Sequence, residues 1–156
     1  MKTLKLILFA VLTIVVTISL AMAASSTFKA KLTGKEVTTA VTTKAKGETD
    51  FKLSKDGKEL FYDLKVKGIE NVTAAHIHAG KKGEDGGPVA GLFAGPKKEG
   101  KFSGLLAKGT ITDKDLVGPL AGKTVADLVA MIKDGGAYVN VHTDKYPDGE
   151  IRGQIK

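Results

Sequence analysis

The chain has 156 residues, 24 Lys and Arg against 17 Asp and Glu, a formal net charge of +7, 19 glycines and no cysteine. That length holds one ordinary domain, and the missing cysteines exclude a disulfide scaffold, a thiolate zinc site, a cysteine nucleophile and lipid attachment through an N-terminal Cys. Arg152 is the only arginine, so the positive charge is almost all lysine, which argues against recognition of nucleic acid by the planar guanidinium fork.

The chain opens Met1-Lys2-Thr3-Leu4-Lys5, continues as an apolar run from Leu6 to Leu20, and reaches Ala21-Met22-Ala23. A short basic head, an apolar centre and an A-x-A site are the three parts of a secretory signal peptide. Cleavage is expected after Ala23, leaving 24–156 as one exported domain, periplasmic or extracellular, with no membrane span. An uncleaved anchor would need about 20 apolar residues, and the A-x-A triplet favours removal. Loss of Lys2 and Lys5 lowers the charge to about +5.

Period-two patterns dominate the rest of the chain. Phe28, Ala30 and Leu32 alternate with Thr27, Lys29, Lys31 and Thr33, Phe51 and Leu53 with Lys52 and Ser54, and Tyr62, Leu64 and Val66 with Asp63, Lys65 and Lys67. These predict half-buried strands with lysines on the wet face, where they also discourage edge pairing. Lys55-Asp56-Gly57-Lys58 between the second and third predicts a hairpin. Asn71-Val72-Thr73 fits the glycosylation pattern, and further strands are expected over 73–78, 89–93, 101–111, 137–143 and 150–155.

The glycines at 80, 83, 86 and 87 predict a surface loop; no Gly-Lys-Ser/Thr ending supports a phosphate loop. Glu84 and Asp85 there are read as solvated. A short turn is expected from Thr112, with Asp115 three residues on and Gly118-Pro119 closing it. Thr124 and Asp127 resemble a capping box; Val125, Leu128, Val129 and Ile132 then share one helical stripe, and Gly135-Gly136 supplies the stop. The expected fold is all-β with one short helix, an antiparallel sandwich closed by that helix.

All three histidines fall in two clusters, His76-Ile77-His78 and Tyr138-Val139-Asn140-Val141-His142. On a strand, His76 and His78 leave one face about 7 Å apart, and Tyr138, Asn140 and His142 share a face of their own. Pairing of the two strands would assemble three neutral imidazoles, a donor set suited to Zn²⁺ or Cu²⁺. Asp144 and Glu150 are the nearest candidate oxygen ligands, and nitrogen separations of roughly 3 to 4 Å would fit ligation. The competing reading places His76 and His78 in a buried hydrogen-bond network with Asn140, Thr143, Arg152 and Gln154 that fixes strand register.

His76-Ile77-His78-Ala79-Gly80 with Gly87-Pro88-Val89, then Tyr138 to Thr143 and Gly149-Glu150-Ile151-Arg152-Gly153-Gln154-Ile155, resembles the chordin-type CHRD domain. The likeness extends to Phe28–Val37 and so covers residues 27–156. It implies an immunoglobulin-like or superoxide-dismutase-like sandwich in an exported protein, acting as an interaction module with an extracellular or envelope partner, and it brings no agreed activity. Growth-factor binding is not implied, because the cysteine-rich modules of chordin are absent. The His-x-His element is also similar to the copper strand of Cu/Zn superoxide dismutases. A dismutase of that type needs four copper histidines, a zinc sub-site and usually a disulfide, so a redox enzyme is disfavoured.

Overall fold

The computed structural model describes residues 26–39 and 41–156; the expected leader lies outside them. Among these residues seven strands run in chain order: β1 (Thr27–Thr33), β2 (Lys46–Leu53), β3 (Leu60–Ala79), β4 (Pro88–Phe93), β5 (Lys98–Ile111), β6 (Ala137–Thr143) and β7 (Ile151–Gln154). Among the described residues one α-helix, α1 (Val125–Lys133), sits between β5 and β6. Every strand pairing is antiparallel. The order β2-β1-β7-β6-β3 closes on itself because β3 also pairs with β2, and β4 and β5 add to β3. The result is a barrel-like β sandwich.

Closure depends on β3, which is a single 20-residue strand where the sequence pattern predicts separate strands over 62–66 and 73–78. Its first part pairs with β2 and β5, its last part with β4 and β6. The junction is Gly68 at φ 65° and Asn71 at φ 52°, with register breaks against β5 between Val66 and Ile69 and between Glu70 and Val72. Positive φ at a bulge bends a strand and increases its twist without ending it. Asn71, at the glycosylation pattern, accepts the Gly100 N–H on its side-chain oxygen at 2.8 Å.

The alternation works as expected. Ala30, Leu32, Leu60, Leu64, Ile69, Ile77, Val139, Val141, Ile151 and Ile155 are all at most 1 % exposed, and burial of each aliphatic side chain contributes about 1.5–3 kcal/mol. The hairpin at Gly57 (φ 74°) forms, with the Ser54 N–H on the Glu59 carbonyl. Thr124 and Asp127 make the capping box, and Val125, Leu128, Val129 and Ile132 face the core. Thr112 and Asp115 make a second box on a 3-10 turn. The helix delivers the chain into β6 through Gly135 and Gly136, whose N–H groups bond to Ile132 and Met131 carbonyls.

Candidate metal centre

The site is built on the outward face of β7, β6 and β3. Register places Arg152 opposite Asn140 and Asn140 opposite His76, while Gln154 faces Tyr138 and Tyr138 faces His78; His142 lies opposite Ala74. Strand alternation turns Ala75, Ile77, Val139, Val141 and Ile151 inward and leaves these polar residues on the other side. His142 is therefore diagonal to His76, and the three ring centroids lie 5.2 to 5.7 Å apart. One ring nitrogen from each lies within 4.8 Å of the others, an upper bound that includes the roughly 3 to 4 Å expected for ligation.

The orientation of two rings is fixed from behind. The Gly86 carbonyl accepts from His78 Nδ1 at 2.9 Å and the Pro147 carbonyl from His142 Nδ1 at 2.8 Å. A carbonyl can only accept, so both rings carry their proton on Nδ1 and present a bare Nε2. His78 Nε2, His142 Nε2 and His76 Nδ1 are buried and have no hydrogen-bond partner. Burial, then the neighbouring His142 and His78, pushes the His76 imidazole down to about 4. Burial also lowers His78 and His142 against the opposing pull of the Gly86 and Pro147 carbonyls. All three are thus neutral at physiological pH, the protonation state a metal requires.

The candidate oxygen ligands lie elsewhere. Asp144 pairs with Lys97 Nζ at 3.0 Å on the surface. Glu150 is buried and accepts from Thr43 Oγ1 at 2.7 Å and Thr143 Oγ1 at 2.8 Å. Neither belongs to the converging group. The polar residues expected around the histidines are hydrogen-bonded, but not to the imidazoles. Asn140 Nδ2 donates to the Asp148 carbonyl at 2.9 Å, and Gln154 Nε2 donates to the carbonyls of Gly80, Gly135 and Ala137 at 2.7 to 2.9 Å. These bonds tie the turn before β6 and the start of the glycine loop to the sheet.

Arg152 ties the glycine-rich loop to the sheet. Its guanidinium donates to the carbonyls of Lys81 (2.9 Å) and Glu84 (2.7 Å), to Thr38 Oγ1 (2.9 Å) and to Asp85 Oδ1 (3.2 Å). It also lies 3.5 Å above the Tyr138 ring, which stacks at 14° on His78. The glycine-rich segment expected to be a plain surface loop is therefore pinned, and its Gly86 holds His78. Residue pattern does not single out Tyr138, Gly86 and Pro147 as supports of the imidazoles. The one signal for them is a lone arginine in a strand facing a loop full of carbonyls.

A groove of about 740 Å³ opens beside His78 and Asn140, walled by Thr38, Tyr146 and Asp148 among others. Among the described residues no helix is long and apolar enough to cross a membrane. No curated protein and no solved structure matches the chain. A family model described as the CHRD domain matches residues 28–155, nearly the whole of this barrel and all three histidines, so the chain belongs to the CHRD-domain family.

Proposed function

We propose that this CHRD domain is an exported binding module that holds one Cu²⁺ or Zn²⁺ ion through His76 Nδ1, His78 Nε2 and His142 Nε2. The observation that carries the reading is a group of three neighbouring imidazoles that bring one nitrogen each within 4.8 Å of the others, each ring having one buried nitrogen without a partner and two of the rings held by backbone carbonyls on Nδ1. Unpaired buried polar atoms are rare in folded proteins and destabilising. Coordination satisfies all three at once, and a backbone carbonyl on the opposite ring nitrogen is the usual support of a ligating histidine. The soft-to-borderline nitrogen set disfavours Ca²⁺ and Mg²⁺, which take oxygen ligands.

The hydrogen-bond reading of the histidines has less support, since Asn140, Thr143, Arg152 and Gln154 make their bonds elsewhere. Calorimetric titration of metal-free protein at pH 7.5 tests the proposal. It predicts saturable binding of one equivalent, reversed by chelator, with His142→Ala weakening it by more than the 10–100-fold that outer-shell changes produce. Absence of saturable binding near one equivalent of either metal refutes it.

A further inference from the structure

Three imidazoles leave a coordination position open on a four- or five-coordinate ion, and His78 and Asn140 both line the neighbouring groove. Asn140 is 5 % exposed, and its Oδ1 is buried with no partner. The amide is not free to turn, because Nδ2 is committed to the Asp148 carbonyl. Asn140 lies directly across from His76 in the ladder and two residues before His142 on the same face, so all three side chains stand over one patch of sheet. Gly149 packs against this amide and holds it in place: a Cβ there would come within 2.3 Å of both Nδ2 and Oδ1.

We infer that Asn140 Oδ1 accepts a hydrogen bond from the group that completes the ion's coordination, making Asn140 a positioning residue that selects the ligand class. A fixed acceptor beside the open position favours a ligand whose coordinating atom carries hydrogen, such as water or the primary amine of a peptide N-terminus. It opposes an aprotic anion, whose lone pairs would face the amide oxygen. This inference rests on the metal reading above.

The test uses copper-loaded protein and two probes, azide and glycinamide, followed by the copper absorption bands. Asn140→Ala should tighten azide and weaken glycinamide, each by about five- to tenfold, the usual net worth of one hydrogen bond. One copper equivalent should remain bound with little change in affinity. Asn140→Asp keeps an acceptor and adds charge, so it should weaken azide further while retaining glycinamide; it decides the matter if the alanine variant does not fold. An unchanged azide-to-glycinamide preference in copper-loaded variants overturns the inference and leaves the metal reading standing. Loss of copper affinity as large as that of His142→Ala also overturns it, because Asn140 would then be a ligand. A wild-type protein that takes up no copper equivalent defeats both.

Discussion

Replacing Arg152 with Met, set beside Asp85→Asn, separates the carbonyl hydrogen bonds of this side chain from its ion pair. The guanidinium is 3 % exposed, but its acidic partner Asp85 is 73 % exposed, so the ion pair is screened and worth under about 1 kcal/mol. The bonds to the Lys81 and Glu84 carbonyls are different, since they are charge-assisted and leave two acceptors behind when removed. With the Tyr138 stacking, Arg152→Met should destabilise the fold by about 3–5 kcal/mol. At a urea slope of about 1.5–2 kcal/mol/M the midpoint falls by about 2 M. Asp85→Asn should shift it by less than about 0.5 M. In any Arg152→Met protein that remains folded, Gly86 loses its hold on His78 and metal affinity should fall about 10–100-fold. Equal losses from the two substitutions would refute the reasoning, because the charge pair would then carry the stability.

Three further outcomes are expected from the same geometry. All three imidazoles titrate below the ordinary 6.5, His76 near 4, so below pH 6.5 the unfolded chain binds protons that the folded chain resists. Metal-free stability in urea should accordingly be fully present above pH 6.5 and decline as pH falls toward 4; a flat or rising profile across that window contradicts the burial of these rings. A Cβ at Gly153 would lie 2.2 Å from the Lys31 carbonyl oxygen, where the obstacle is backbone rather than a movable side chain. Gly153→Ala should therefore abolish folding or lower stability by more than about 3 kcal/mol, and a wild-type melting temperature would show that β1 and β7 are not packed that closely. Thr124→Ala removes the capping box of α1 and should lower stability by about 1 kcal/mol, with no effect on metal affinity because the helix supplies no ligand; an affinity loss would contradict that separation.

β1, β2 and the first part of β3 are legible in the sequence because each buries one face and so must alternate, and the alternation of apolar and polar residue types in the later strands shows that His76 goes with His78 and Asn140 with His142. The capping residues and Gly135 likewise mark α1. Register is not legible. That Asn140 faces His76 and not His78 results from how β3 bends at Gly68 and Asn71 and from how α1 feeds β6, both long-range consequences of closing the barrel. For the same reason β3 reads as two strands, since Gly68 and Asn71 look like a turn until both flanking segments are seen to share a core. The supports of the site are the hardest to see. Gly86 and Pro147 act through backbone carbonyls, which residue identity does not report, and Asp144 and Glu150 look like ligands only because they are near His142 in sequence.

The central claim, that His76, His78 and His142 hold one metal ion, is tested most directly by following the six imidazole nitrogens in long-range ¹H–¹⁵N spectra during a Zn²⁺ titration. The metal-free protein should show His78 and His142 protonated on Nδ1. One equivalent of Zn²⁺ should then shift His78 Nε2, His142 Nε2 and His76 Nδ1 together, in slow exchange, and leave the Nδ1–H groups facing Gly86 and Pro147 in place. Ring nitrogens that do not move through the first equivalent, or zinc arriving on Nδ1 of His78 or His142, would contradict the account.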